Sequence, residues 1–496
     1  MPSDSVDAPV IEPQPAPPRA LQPAASALRP YRTLPGPRPL PFLGNALQID
    51  AGRLHRQFEG WARRYGPFFR LRLGNRNLLV IADHAHVGSV LRDRPERFRR
   101  PPYSGRVLTE MGFDEGLFFA NDEVWRRQRR MVMAAFDPGH VKAYFPALRK
   151  VTERLQGRWS QAAQTGSAID LQADLMRFTV DAVAGLAFGA EVNTLESDED
   201  VIQRHLNKIF PALFRRVLAP VRYWRYVRLP ADRALDRSVR EVKAAIDGFV
   251  AQARARLAAE PSLRARPSNL LEAMIIASDE GGSGLDDHDV AGNVLTMLLA
   301  GEDTTANTLA WMIDLLHRNP AALARAQDEV RRLAPRPAEF TPEQIGTLDY
   351  LGACAHETMR LKPVAPILGA QAVHDTTIGD VEVPAETLVI TLMRRDSVDE
   401  RFFPDAARFD PGRWLGDAAG AATSAKRVAM PFGAGPRVCP GRYLALMEMK
   451  MVMAMLLGSF DIESVGTADG REAAEHMAFS MGPIGLRMRL RSRRPA

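Results

Sequence analysis

The chain has 496 residues, 46% of them hydrophobic and 25% charged, with a net charge of +6. That composition is globular rather than disordered or fibrous, and a chain this long has area enough for a large core. Two cysteines, Cys354 and Cys439, exclude a disulfide framework and suit a reducing, cytoplasmic compartment. The mild basic excess is compatible with nucleic acid, a membrane surface or an acidic protein, and charge does not choose among them.

Residues 1–30 are rich in Pro, Ala and Ser. They hold no secretory h-region and no apolar run of the roughly 20 residues that a membrane anchor needs. They read as a disordered tail, with residues 31–496 as one domain. The prolines of 34–44 keep the backbone extended. Alternation around an Asn/Gly turn over 69–82 predicts a β-hairpin. From 83 to 361 the apolar spacing is helical, with helices expected over 125–136, 144–164, 170–188, 231–259, 286–317 and 321–333. The stretch 366–391 reverts to short apolar runs with turns and predicts a second small sheet. A last helix is expected over 441–459, then a strand pair over 460–465 and 484–490. The fold class is mainly α with a minor β region.

Several patterns inside this frame carry chemistry. Trp125-Arg-Arg-Gln-Arg129 puts an indole N–H and a guanidinium four residues apart on one helical face, both suited to carboxylates. Arg126, Arg127 and Arg130 read as a solvated basic face or as a docking patch for an acidic protein. The segment 214–228 interleaves arginines with aromatics, as membrane-surface and single-strand binders do. Leu295, Leu298, Leu299, Glu302, Ala306, Leu309 and Ile313 follow helical spacing, interrupted by Ala300-Gly-Glu-Asp-Thr-Thr305. An acid and two hydroxyls are costly to bury there without partners. Thr304 can bond back to the Ala300 carbonyl and open or bend the helix, and Gly301 leaves room for a ligand. A kinked core helix explains the same residues. Glu357-Thr-Met-Arg360 can pair on one face, as on many solvated helices.

The most informative stretch is Phe432-Gly-Ala-Gly-Pro-Arg-Val-Cys-Pro-Gly441. A lone cysteine in a glycine-rich loop before an apolar helix does not make a zinc site, which takes three or four protein ligands. It suits haem, whose porphyrin leaves the protein one proximal position. Gly433 and Gly435 let backbone pass close to a flat cofactor. Arg437 is suited to a propionate, and the following helix turns its positive end to the thiolate.

These ten residues match every fixed position of Phe-x-x-Gly-x-Arg-x-Cys-x-Gly, the haem-binding signature of the cytochrome P450 family, which the chain resembles from about residue 34 to 489. The resemblance implies the cytochrome P450 fold, haem b (iron protoporphyrin IX) and Cys439 as the metal ligand. It places Trp125, Arg129 and Arg437 on the haem propionates, and Ala300, Phe432, Gly433 and Gly441 against the haem. Asp303 and Thr304 would support proton delivery to dioxygen, while Glu302 occupies a variable position. Glu357, Arg360 and Arg413 would form a buried network that locks the cysteine loop, although Gly412 and Trp414 depart from the usual Pro-Glu-Arg-Phe pattern. No basic residue stands between Pro363 and Ala372, where many bacterial-type members carry a propionate partner. Phe113, Phe118, Val364, Ile367 and Met481 are the expected lining of an apolar substrate pocket.

The implied activity is that of a haem-thiolate monooxygenase. It inserts one atom of dioxygen into an apolar small molecule, with electrons from a separate ferredoxin or flavoprotein. The alternatives are a haem-thiolate peroxygenase or isomerase and a non-catalytic haem gas sensor; the pair Asp303 and Thr304 argues against both. The chain looks like a soluble, bacterial-type monomer without a transmembrane anchor, cytoplasmic, with peripheral membrane contact through 214–228 as a further option. No nucleic acid is expected.

Overall fold

A computed structural model describes residues 28–74, 76–189, 193–196, 201–219, 221–416 and 425–493. One helix organises it. Helix α11 (Asp287–Arg318) spans 32 residues, about 48 Å at 1.5 Å per residue. Its start is set by Asp286, whose carboxylate accepts the N–H groups of His288 and Asp289 in a capping box, and His317 and Arg318 complement its last turn. Leu309, Ala310, Trp311, Met312 and Ile313 are all fully buried, because this helix is packed on every side. Around its C-terminal half stand α6 (Phe145–Thr165), α7 (Leu171–Phe188), α12 (Pro320–Leu333), α14 (Asp349–Leu361) and α15 (Arg442–Ser459). They share one apolar core containing Trp159, Phe178, Trp311, Leu351 and Met453. A second core joins its N-terminal half to α3 (Pro102–Glu110), α4 (Asp122–Ala135), α8 (Val201–Leu218), α9 (Pro230–Ala259) and α10 (Leu270–Asp279).

The expected helices are present to within about one turn. α1 (Leu54–Tyr65), α3, α8 and α10 have no counterpart among the helices expected individually; α1 buries Leu54, Phe58 and Ala62, a stripe at four-residue spacing in an otherwise polar segment. The hairpin forms as β2 (Phe68–Leu73) and β3 (Arg76–Ile81), paired Phe68 to Ile81. The second small sheet forms only in part. Strands β6 (Ile367–Ala372) and β9 (Leu388–Leu392) instead complete the hairpin's own sheet, in the order β2-β3-β9-β6-β4 with β4 (Phe98–Arg99) at the edge. Only β7 (Thr376–Ile378) and β8 (Val381–Val383) stand apart, joined by β1 (Arg29–Pro30). Arg29 pairs through backbone and side chain with Asp380 at 2.7 Å. The rest of the expected tail, residues 1–27, lies outside the described residues. The last strand pair is β10 (Phe460–Gly466) with β13 (Arg487–Ser492), and a short hairpin of β11 (Glu475–Met477) and β12 (Met481–Pro483) precedes it. Among the described residues no helix is long and apolar enough to cross a membrane.

Candidate active site

The cysteine loop is closed by the Cys439 N–H, which donates to the Phe432 carbonyl at 3.0 Å. Gly433 and Gly435 both have left-handed φ, 75° and 71°, which glycine adopts without a Cβ penalty. They do different work. A Cβ on Gly435 would lie 2.6 Å from the Arg92 Cα, so this glycine seats the loop on α2 (His84–Arg92) rather than clearing a cofactor; a Cβ on Gly433 would meet nothing within 4 Å. Gly441 is the N-cap of α15. Burial pushes the Cys439 thiol up, while the Gly441 amide, Arg129 and Arg442 pull it back down. Arg129 donates to the Val438 carbonyl at 2.9 Å, and so braces the loop from α4.

Opposing demands meet on α11. Thr304 Oγ1 donates to the Ala300 carbonyl at 2.7 Å, as expected, yet the helix continues unbroken through it. Ala300 is exposed between the buried Leu299 and Glu302, which marks an opening midway along a helix that is otherwise core. Gly301 does not face that opening: a Cβ there would meet the Val183 side chain at 2.5 Å, so it serves the close packing of α7. Asp303 Oδ2 accepts from Ser480 Oγ at 3.0 Å; Asn307 donates to Ser480 Oγ at 2.9 Å, and Gln172 to Asn307 at 2.8 Å. Burial raises the Asp303 carboxyl above its usual range, and these hydrogen bonds partly oppose it. Neither Ser480 nor Gln172 has a sequence signal, since both reach Asp303 or Asn307 from more than a hundred residues away.

Near the cysteine loop lies a group of arginines. Arg437 donates to the Ala120 carbonyl at 2.6 Å and lies 4.6 Å over the Trp125 ring. Burial and the charges of Arg100 and Arg94 push it down to about 9; burial alone takes Arg100 to about 10, and burial with Arg100 takes Arg94 to about 9. A guanidinium does not give up its proton in a protein, so the group is a positive site short of counter-charge. Among the described residues none of the three forms an ion pair, and the Nε atoms of Arg100 and Arg437 are buried without a hydrogen-bond partner. Two carboxylates, such as haem propionates, fit this arrangement. Arg94 and Arg100 escaped the sequence reading because no motif marks them. Arg100 directly follows β4, whose Arg99 pairs with Gln371 of β6. A cation therefore stands beside the strand that itself has none.

Glu357 is the centre of a buried network. Arg360 holds both carboxylate oxygens at 2.8 Å, and both residues are fully buried. Arg413 approaches Glu357 at 3.4 Å, and Trp414 Nε1 donates to it at 2.9 Å. Arg360 also donates to the carbonyls of Ser397, Ala406 and Arg408. The network thus anchors the 397–414 segment rather than gripping the cysteine loop directly; the apolar cluster of Phe403, Ala406, Ala425 and Val428 carries the chain on toward Phe432.

Of the expected pocket residues, Phe118, Val364 and Ile367 are half-buried. Phe113 and Met481 are core residues, 4% and 0% exposed, and Met481 is spoken for by packing against α11 and α15. Phe118 instead heads an aromatic group, with Phe119 at 4.9 Å, Phe479 at 5.8 Å, and Phe210 at 6.0 Å from Phe479. Arg100 lies over Phe118 at 4.2 Å, which ties the aromatic group to the arginines.

The family model for cytochrome P450 matches residues 34–489. The cyclooctat-9-en-7-ol 5-monooxygenase of Streptomyces melanosporofaciens is 29% identical over 88% of this chain and 91% of its own length. The self-sufficient cytochrome P450 monooxygenase CYP505E5 of Aspergillus niger is 26% identical over 86% of this chain and 40% of its own length. The chain spans about two fifths of the length of the first such relatives, 40% to 43%. The crystal structure of the cytochrome P450DA heme domain superposes with a TM-score of 0.81 at 24% identity, covering 95% of this chain and 99% of that one. A cysteine loop seated at a helix N-terminus, arginines waiting for carboxylates and a match over nearly the whole length converge: the chain belongs to the cytochrome P450 family, and haem is its cofactor.

Proposed function

We propose that this protein is a haem-thiolate monooxygenase that inserts one atom of dioxygen into an apolar organic substrate, with electrons from a separate ferredoxin or flavoprotein. The observation that carries the reading is the opening at Ala300, with Asp303 and Thr304 beside it on the same helix and a group of buried and half-buried arginines without counter-charge near the cysteine loop. In this reading Cys439 is the iron ligand, and the bound haem supplies oxygen-activating chemistry. Arg94, Arg100 and Arg437 bind its two carboxylates, and Trp125 fixes the plane of Arg437. Asp303 is the candidate proton relay: burial raises its carboxyl above the usual range, and Ser480 and Asn307 aim it. The Thr304 hydroxyl spends its hydrogen on Ala300 and keeps its oxygen free to accept. Phe118, Phe119, Phe210 and Phe479 exclude water and favour an apolar substrate. Arg126 and Lys142 are exposed and only loosely paired with exposed glutamates, at 3.3 to 3.8 Å, and could exchange those partners for an acidic electron donor. Both cysteines are free, in keeping with a reducing cytoplasm.

The test compares product formation by the haem-loaded protein with an electron-donor system and with hydrogen peroxide alone, alongside the carbonyl spectrum of the reduced protein. Turnover that needs the donor, and a thiolate-type carbonyl band that Cys439→Ser abolishes, are expected. Equal turnover with peroxide alone would point to a peroxygenase, and an unchanged band in the variant would remove Cys439 as ligand.

A further inference from the structure

Asp303 is reached by a chain of polar side chains whose hydrogens all run one way. Asn307 and Ser480 are 3% and 4% exposed, so neither relies on bulk water for its hydrogen bonds. An ionised carboxylate only accepts. Asn307 therefore turns its amide NH2 toward Asp303 and Ser480, with Nδ2 2.9 Å from Ser480 Oγ and 3.4 Å from Asp303 Oδ1. Its carbonyl Oδ1 then faces the other way, where the Gln172 amide donates to it at 2.8 Å. Ser480 Oγ, already accepting from Asn307, spends its single hydrogen on Asp303 Oδ2 at 3.0 Å. The direction runs from Gln172 through Asn307 and Ser480 to Asp303.

Three separate segments build this chain. Gln172 stands in the first turn of α7, Asn307 one turn after Asp303 on α11, and Ser480 in the turn between β11 and β12. That turn is fixed by its own backbone: the Ala478 N–H donates to the Ser480 carbonyl at 3.0 Å, and the Met481 N–H to the Val364 carbonyl at 2.8 Å. Gly482 closes over the two amides. A Cβ there would fall 2.3 Å from Asn307 Oδ1 and 2.8 Å from Gln172 Nε2. Gly482 is not among the left-handed glycines, so the space taken by the amide pair, not the backbone angle, is what excludes a side chain.

The two oxygens of Asp303 are consequently unequal. A proton on Oδ2 would oppose the hydrogen that Ser480 already commits to it. A proton on Oδ1 displaces only the Asn307 contact at 3.4 Å. The Ser480 main-chain N–H adds to the donors, and among the described residues no charged side chain of α7, of α11 or of the β11–β12 hairpin acts on this carboxyl. We propose that Gln172, Asn307 and Ser480 are positioning residues that hold Asp303 Oδ2 as a fixed acceptor and leave Oδ1 as the oxygen that takes up and gives off the proton. The inference rests on the reading of Asp303 as the proton relay. Each donor favours the carboxylate against burial, which keeps the proton exchangeable instead of locked on an isolated buried acid.

The test titrates Asp303 in the haem-loaded protein, from the infrared band of its protonated carboxyl, identified by its loss in Asp303→Asn. Ser480→Ala removes a donor to the carboxylate and should raise the midpoint by about one unit, a tenfold gain in proton affinity. Gln172→Met touches no oxygen of Asp303 and should shift it less, in the same direction, because Asn307 is then free to turn its carbonyl toward Ser480. Ser480→Thr keeps the hydroxyl and should keep the wild-type midpoint. With folding checked by an unchanged haem spectrum, an unmoved midpoint in Ser480→Ala or in Gln172→Met overturns the chain. So does a shift in Ser480→Thr as large as in Ser480→Ala, because packing and not the hydroxyl would then set the value. With an electron-donor system, Ser480→Ala should also divert more reducing equivalents to hydrogen peroxide at unchanged substrate affinity. A shifted midpoint with undiminished product per electron would leave the chain standing and remove Asp303 as the relay, so the two failures are told apart.

Discussion

The buried carboxyl of Glu448 shows how a single residue sets a pH response. It lies on α15, 3% exposed, and burial pushes it up to about 8, with the Thr305 side chain pulling the other way. Thr305 is the immediate neighbour of Thr304 on α11, so this neutral acid joins the helix after the cysteine to the helix that carries the candidate proton donor. Its folded-state value lies above the ordinary carboxyl value of 4.5. Between those two values the unfolded chain ionises and the folded one does not, so stability falls as pH rises through that window and levels off above about 8. Glu448→Gln should remove this slope. The urea midpoint of the variant, measured against the wild type across the window, should gain on the wild type by an amount equivalent to a few kcal/mol at the alkaline end. Parallel curves would show that Glu448 is ionised in the folded protein.

Among elements, the cysteine loop is held in place by backbone shape more than by side-chain bonds. Gly435 lies against α2 with φ 71° and no room for a Cβ, which would fall 2.6 Å from main-chain atoms of Leu91 and Arg92. Gly435→Ala should therefore cost about 1–2 kcal/mol from the left-handed backbone alone, with the displacement of α2 in addition. Gly433→Ala bears the same backbone strain at φ 75° but meets nothing. Thermal unfolding of the two variants without haem should rank Gly435→Ala as the more damaged. Equal losses would mean that contact with α2 does not seat the loop.

At the level of the whole molecule, buried charge links parts of the chain that local structure leaves separate. Glu357 receives Arg360, Arg413, Trp414 and the Asp410 N–H. It sits at 0% exposure, so its removal strands the Arg360 guanidinium in the core. Glu357→Gln should destabilise the fold by about 3–5 kcal/mol, read as a lower urea midpoint of the haem-loaded protein. Loss of less than about 1 kcal/mol would place the network among ordinary surface pairs. Because Arg360 binds three carbonyls of the 397–414 segment, loosening there should precede loss of the helical core, visible as earlier amide exchange in that segment.

Residue types at short spacing determined a good deal of this protein. A 3.6-residue rhythm yields the long helices whatever they later touch, and the residues from Phe432 to Gly441 identify a haem loop because glycine, arginine and cysteine are needed at neighbouring positions of one turn. Glu357 and Arg360 are likewise legible, three apart on one helix. Distance along the chain is what hid the rest. The sheet holding β6 and β9 is completed by a hairpin some three hundred residues earlier, and hydrophobic alternation says which face a strand buries but not which strand lies beside it. Arg100 lines up with Arg437, and Ser480 and Gln172 meet at Asp303 and Asn307, only once the helices have packed. A glycine's task is equally non-local: Gly301 serves α7 and Gly435 serves α2, because what a missing Cβ admits depends on the neighbour that folding brings to it.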